Sequence, residues 1–250
     1  MTGASGGLGG ALALHYAKEG ALLSLCGRNG PNLGKCADAC AAVGQRPRTA
    51  LFDVRDESAL KGWIEAEDAH APLDLVFANA GICRGLGPDG LEDPKDSSET
   101  FKVNTIASTL TAVFAAEAML RRGSGQIAII SSQASRIPLL NTPSYSASKA
   151  GSRFYGLSMR DSLANSGVRL SVVCPGYIKS PMTDSFKGPM PFIWTAEKAA
   201  SHISKKLKKN PAIIRFPWQL NFMLGLYGVI PGFLCRWLGR RFSFKVIHGG

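Results

Sequence analysis

The stretch Thr2-Gly3-Ala4-Ser5-Gly6-Gly7-Leu8-Gly9 places glycines where a chain turns sharply and enters a helix. Glycine permits a tight turn and lets a ligand approach the backbone closely. The free N–H groups at the start of the following helix attract an anion such as phosphate. The stretch therefore predicts a dinucleotide-binding turn between a strand and a helix. Alone, it is also typical of glycine turns that are only structural.

Short apolar runs alternate with helix-length segments along most of the chain. We predict strands at residues 21–26, 48–52, 73–78, 126–131, 168–174 and 212–216, and helices at residues 8–19, 32–43, 57–69, 101–120, 145–166 and 195–209. Thr195 is the predicted N-cap of the last of these helices. Continuous apolar strands between helices are typical of a parallel sheet. The sequence thus predicts an α/β fold, a Rossmann-like doubly wound parallel sheet with helices on both faces.

Only Met1 precedes the glycine turn, although a strand leads into such a turn in this kind of fold. We interpret the first strand as truncated, with upstream residues missing. The alternative is a sheet that lacks its central strand. A gap in the middle of a parallel sheet would leave the backbone groups of both neighbouring strands unpaired. This cost favours the first interpretation.

The composition excludes a disordered chain, because 45% of the 250 residues are hydrophobic and only 19% are charged. The formal net charge of +11 is concentrated at one end, since residues 201–250 hold nine basic side chains and no acidic one. We therefore divide the chain into a domain over residues 1–200 and a basic, apolar extension over residues 201–250. Six scattered cysteines and the lack of a signal-peptide pattern predict an intracellular protein, cytoplasmic or membrane-associated, without a metal site.

Arg28 ends the second predicted strand, nineteen residues after Gly9. An NAD-preferring protein would carry an acidic residue there, to bind the ribose 2′-hydroxyl. A guanidinium suits a 2′-phosphate instead, so Arg28 predicts a preference for NADP, with NAD as a possible second cofactor. The alternative is an ordinary solvated surface arginine.

Tyr145 and Lys149 are four residues apart at the start of a predicted helix that follows Pro143, so they share one helix face. A phenol with an ordinary pKa near 10 is a poor acid–base group at neutral pH, and a nearby ammonium favours the phenolate. The pair on its own could equally be a surface pair.

Seven motifs follow one another in the order of one known family. They are Thr2-Gly3-x-x-x-Gly7-x-Gly9, Asp53-Val54, Asn79-Ala80-Gly81, Asn104, Ser132, Tyr145-x-x-x-Lys149 and Pro175-Gly176. From Thr2 to about Ser180 the chain resembles the short-chain dehydrogenase/reductase family.

This resemblance implies a catalytic tetrad of Asn104, Ser132, Tyr145 and Lys149. Tyr145 would be the general acid or base, Ser132 would bind the substrate oxygen, Lys149 would hold the nicotinamide ribose and lower the pKa of Tyr145, and Asn104 would hold a water molecule of a proton relay. The cofactor-binding residues would be Thr2, Gly3, Ser5, Gly7, Leu8, Gly9, Arg28, Asp53, Val54, Asn79, Ala80, Gly81, Tyr145, Lys149, Pro175, Gly176, Ile178 and Ser180.

The extension contains twenty consecutive residues without a charge, 216–235, flanked by Arg215 and Arg236. Prolines and glycines interrupt this stretch, which argues against a single spanning helix. It predicts a peripheral membrane contact through residues 216–245, with aromatic side chains in one leaflet and basic side chains at anionic headgroups. An oligomer interface or a wall of the substrate pocket is equally consistent with it. Nucleic acid is not expected as a partner, because the basic residues form no stacking groove.

Together these features predict an NADP-preferring oxidoreductase that interconverts a ketone or aldehyde and an alcohol of a lipophilic small molecule. We also expect a homo-oligomer. Two alternatives stay open at this point. One is a catalytically silent binding or scaffold protein with the same fold, and the other is a peripheral membrane protein.

Overall fold

Parallel strands and helices alternate in the computed structural model, which describes residues 1–227 and 245–246. The strands are β1 Ser24–Gly27, β2 Arg48–Leu51, β3 Leu75–Ala78, β4 Gly125–Ile130, β5 Val168–Pro175, β6 Phe186–Lys187, β7 Ile213–Phe216 and β8 Lys245–Val246. The helices are α1 Gly7–Lys18, α2 Gly30–Ala41, α3 Glu57–His70, α4 Pro94–Phe101, α5 Ser108–Leu120, α6 Pro143–Ser162, α7 Pro181–Asp184, α8 Ala196–Leu207 and α9 Trp218–Tyr227. This order confirms the predicted α/β class.

Two parallel sheets lie side by side, β1–β2 and β3–β4–β5–β7. Met1 and Thr2 join them, at the position of the strand predicted to be truncated. The Thr2 N–H donates to the Phe77 carbonyl of β3 (3.0 Å), and the Met1 carbonyl accepts from Cys26 N–H of β1 (3.0 Å). Two residues therefore bond to both neighbouring strands.

Helices cover both faces of the sheet, and neighbouring residues of β5 point to opposite faces. Val173 packs in a buried cluster with Leu12 of α1 and Ile203 of α8. Val172 packs in another cluster with Met119 of α5. The prediction of a doubly wound fold is confirmed by these two cores.

The long helix predicted over residues 101–120 starts earlier and is interrupted. It begins at Pro94 with α4, passes through a π-helical turn over Lys102–Ala107, and continues as α5. Such turns carry an extra residue and are frequent at functional sites. The turn contains Asn104, one of the predicted catalytic residues.

The sheet and its core continue past residue 200, the predicted boundary between the domain and the extension. The division falls inside α8, whose N-cap is Thr195 as predicted, with its side chain accepting from Lys198 N–H. Ile214 of β7 is 2% exposed, and β7 pairs with β5. The described part of the extension beyond β7 is α9 and β8.

The predicted membrane-contact segment lies only partly within the described residues. Helix α9 covers its start, and residues 228–244 lie outside the described part. Strand β8 pairs antiparallel with β6, Val246 opposite Phe186. One helical stretch of the described chain, Pro94–Leu120, has the length and composition of a membrane span, but it is largely buried in the fold.

Candidate active site

A cavity of about 430 Å³ opens at the carboxyl ends of the central strands. Most of the residues predicted for the site line it together. They are Gly3, Ser5, Gly7, Leu8, Gly9, Arg28, Asp53, Val54, Asn79, Ala80, Gly81, Ser132, Tyr145, Lys149, Pro175, Gly176, Ile178 and Ser180. Thr2 and Asn104 are the two predicted residues that stand behind this surface.

The glycine turn forms a cradle that side chains would fill. Gly3 has φ +66°, and a Cβ on it would lie 2.7 Å from the Ala80 Cα; a Cβ on Gly7 would lie 2.5 Å from Ser180 Cβ. Gly6, the N-cap of α1, has no side chain to cap the first N–H groups of the helix. Close backbone approach and free helix donors fit the phosphates of a dinucleotide.

Thr2 does not line the cavity; it stabilises the glycine turn by hydrogen bonds. Its side-chain oxygen accepts from the backbone N–H groups of Asn79 (3.0 Å) and Ala80 (3.1 Å). The Asn79 amide in turn donates to the carbonyls of Thr2 (3.0 Å) and Gly3 (3.1 Å). These bonds hold the phosphate turn against the end of β3.

Arg28 follows β1 and lines the cavity within a network of charges. Its guanidinium lies 3.1 Å from a Glu99 carboxylate oxygen and 3.7 Å from one of Asp53. Arg55 donates two side-chain hydrogen bonds to Asp53 (3.0 and 2.7 Å), and these bonds hold the pKa of Asp53 below its usual range. Arg28 is therefore part of the cavity wall and not an isolated surface arginine.

Lys149 is buried at the other end of the cavity. Its Nζ donates to the Ile130 carbonyl at the end of β4 (2.9 Å), and Ser131 Oγ donates to the Lys149 carbonyl (2.7 Å). Burial lowers the pKa of Lys149 to about 8. Ser131 thus helps to hold α6 against β4.

Tyr145 lies beside Ser132 in the same buried region. Burial raises the pKa of Tyr145 well above its usual value, Cys83 adds to this rise, and a hydrogen bond with Ser132 opposes it. Ser132 also accepts from Ala134 N–H (3.1 Å), which fixes its side chain. The lowering of the Tyr145 pKa by Lys149 stays a prediction.

Asn104 stands directly behind Gly81 and is completely buried. Its Oδ1 accepts from Ile82 N–H (2.8 Å), and its Nδ2 donates to the Ile82 carbonyl (2.9 Å) and to Ser148 Oγ (3.0 Å). Asn104 therefore joins the segment after β3 to α6, the helix of Tyr145 and Lys149.

Sequence reasoning missed the apolar side of the cavity. It is lined by Ile137, Leu139, Met182, Phe186, Leu220 and Leu224. The last two belong to α9, four residues apart, a spacing that would have identified one helix face. The start of the extension therefore contributes to the pocket wall, one of the alternatives left open for it.

A parallel sheet, a phosphate turn and a Ser132–Tyr145–Lys149 group at one cavity define a dinucleotide-binding oxidoreductase. Comparison with known proteins identifies its family: the short chain dehydrogenase model matches residues 1–189, and the chain belongs to this family. It is an oxidoreductase acting on CH–OH groups.

Curated relatives cover most of the chain. It is 35% identical over 92% of its length to an "Uncharacterized oxidoreductase" of Myxococcus xanthus, covering 91% of that protein. It is 33% identical over 84% of its length to "Ketoacyl reductase HetN" of a Nostoc species, covering 75% of that protein.

Solved structures share the fold. A short chain dehydrogenase/reductase from Burkholderia phymatum in complex with NAD has a TM-score of 0.83 at 19% identity, over 92% of each chain. A metagenomic short-chain oxidoreductase in complex with NADP has a TM-score of 0.73 at 25% identity, over 86% of this chain and 93% of that one. The fold binds NAD or NADP.

We predict that catalytic efficiency falls as the pH rises through about 8. The buried Lys149 ammonium is present below that pH and lost above it, and a charged lysine is the better donor to a bound dinucleotide. The measurement is kcat/KM for the dinucleotide as a function of pH. In Lys149→Arg the guanidinium stays charged and the fall should disappear; a wild-type efficiency that rises across pH 8 would contradict the prediction.

Proposed function

We propose that the chain is an NADP-preferring oxidoreductase that interconverts lipophilic ketones or aldehydes and the corresponding alcohols. The observation that carries this proposal is one cavity that is lined both by Ser132, Tyr145 and Lys149 and by a group of apolar side chains. When bound, the dinucleotide supplies or accepts the hydride. The protein then has to orient the substrate and handle one proton.

Tyr145 is the group that handles this proton. Its high pKa keeps the phenol protonated at neutral pH, so it is ready to donate to the oxygen of a carbonyl substrate. Ser132 binds the same oxygen by a hydrogen bond and stabilises the charge that develops on it. In the oxidation direction, the deprotonated phenolate form of Tyr145 takes the proton from the alcohol oxygen.

Lys149 and Asn104 support this step from behind. Lys149 would hold the nicotinamide ribose, and Asn104, bonded to the Ile82 backbone and to Ser148, would support a proton relay from solvent. Both side chains lie on elements that contact the cavity wall, the first on α6 and the second on the π-helical turn.

The apolar wall supports a lipophilic substrate. The apolar side chains of the cavity bind a ligand by removing apolar surface from water, and a polar substrate would lose hydration there without replacement. The name of the HetN relative, a ketoacyl reductase, is consistent with a ketone on an apolar chain.

We predict that Tyr145→Phe lowers kcat about 10²- to 10⁴-fold, because the general acid is lost while the ring is kept. The measurement is NADPH consumption with a panel of apolar ketones and aldehydes, together with NADPH binding by fluorescence, which should change far less than kcat. Tyr155→Phe, on the same helix but away from the cavity lining, is the matched control. A wild-type chain that binds NADPH but turns over no carbonyl compound would favour the silent binding protein.

We predict that Arg28→Ala lowers kcat/KM for NADPH about 10- to 100-fold and leaves that for NADH nearly unchanged. The reason is the loss of charge-assisted hydrogen bonds to the 2′-phosphate. Arg46→Ala is the control, since Arg46 pairs with Asp38 on the surface and does not line the cavity. Equal wild-type efficiency with both dinucleotides would contradict the preference.

The outer face of α9 favours a second role, peripheral contact with an anionic membrane. Trp218 is 72% exposed and Phe222 62%, on the side of the helix away from Leu220 and Leu224. An exposed apolar helix face is typical of a surface that contacts a membrane or another protein. Exposed Arg215 lies next to it, at the end of β7.

We predict that Trp218→Ser/Phe222→Ser lowers binding to anionic phospholipid vesicles at least about 10-fold, because two inserted aromatic rings are lost. Co-sedimentation measures this, and Leu22→Ser, at a similarly exposed leucine before β1, is the control. Absence of wild-type binding would reject the membrane role. A lower mass of the double variant without vesicles would instead assign α9 to the expected homo-oligomer interface.

A further inference from the structure

Helix α6 carries Tyr145 and Lys149, yet its N-cap residue does not cap it. Its N-cap residue, Thr142, makes no capping bond with its side chain, and Pro143 has no N–H. The Ser144 N–H is therefore the first free donor of the helix. Within the described residues, the buried Thr142 hydroxyl has no hydrogen-bond partner.

Glu92 supplies the missing acceptor from 52 residues away. The Ser144 N–H donates to both oxygens of its carboxylate (3.0 and 3.1 Å). The Ser144 hydroxyl also donates to Glu92 Oε2, and it lies 2.6 Å from Ser97 Oγ of α4. Segment 92–97 thus holds the residue immediately before Tyr145 by its backbone and by its side chain.

A carboxylate is well suited to this position. It forms charge-assisted hydrogen bonds with backbone N–H groups, and the positive end of the helix dipole attracts it. A capping bond from Thr142 would be local to α6 and would not tie the start of the helix to any other part of the fold. Glu92 fixes it relative to the segment that follows β3, the same segment that begins with Asn79, Ala80 and Gly81 of the cavity lining.

We propose that Glu92 is a positioning residue, whose carboxylate holds the first turn of α6 so that the Tyr145 hydroxyl stays within hydrogen-bond reach of Ser132. This role rests on the proposed function of Tyr145. Glu92 does not line the cavity, so it acts through Ser144. An acid–base group displaced by about 1 Å can lose about 100-fold in rate.

The test compares Glu92→Ala and Glu92→Gln with the wild-type chain in carbonyl reduction with NADPH. We expect kcat to fall about 10- to 100-fold in Glu92→Ala, while KM for NADPH and its affinity by fluorescence stay within about twofold. Glu92→Gln keeps an acceptor oxygen for the Ser144 N–H but loses the charge. Its kcat should therefore lie between that of the wild-type chain and that of Glu92→Ala. If Glu92→Ala does not fold, the Gln variant alone gives the comparison.

Asp56→Ala is the matched control for the loss of a carboxylate cap. Asp56 caps α3 with its side chain, accepting from Ala59 N–H (2.9 Å), and does not line the cavity. It should lower the melting temperature and leave kcat unchanged. The proposal is overturned if Glu92→Ala keeps the wild-type kcat, or if its kcat changes only as much as that of Asp56→Ala. Failure of the proposed function looks different, because the wild-type chain itself would then show no turnover.

Discussion

The pairing of Met1 and Thr2 with strands on both sides is the constraint on which the rest of the structure depends. Without these two residues, β1–β2 and β3–β4–β5–β7 would have no backbone hydrogen bonds between them at this position. The same two residues lead directly into the phosphate turn, so the joint of the sheet and the dinucleotide cradle are one feature. Asn79 secures that joint by donating to the Thr2 and Gly3 carbonyls, which explains why an asparagine at the end of β3 belongs to the site.

Two buried polar side chains beside the proposed catalytic tyrosine, Lys149 and Asn104, each have specific hydrogen-bond partners. A buried ammonium or amide is costly unless it is hydrogen-bonded. Lys149 meets this cost through the Ile130 carbonyl, and Asn104 through the Ile82 backbone and Ser148. These bonds fix β4, α6 and the segment after β3 relative to one another, so the functional side chains are placed by the same bonds that stabilise the core.

The sequence was sufficient for the features that depend on local pattern. The alternating apolar runs, the Thr195 cap and the glycine turn each depend on residues close together in the chain, and the structure has all three. The ordered motifs also located most of the cavity lining. Other features depend on distant partners. In the π-helical turn, Asn104 bonds to the backbone of Ile82, 22 residues away, and the Glu92 cap joins residues 52 apart. Patterns of neighbouring residues therefore cannot predict either pair.

Helix α4 and the residues just before it make contacts with two separate parts of the cavity region. At its amino end, Glu92 and Ser97 hold the first turn of α6, next to Tyr145. Near its other end, Glu99 pairs with Arg28, the residue that we propose binds the 2′-phosphate of NADP. An eight-residue helix is about 12 Å long, so one short rigid element contacts both the cofactor end and the catalytic end. The ion pair of Arg28 and the hydrogen bonds that hold the start of α6 are therefore made by one short segment, residues 92–99.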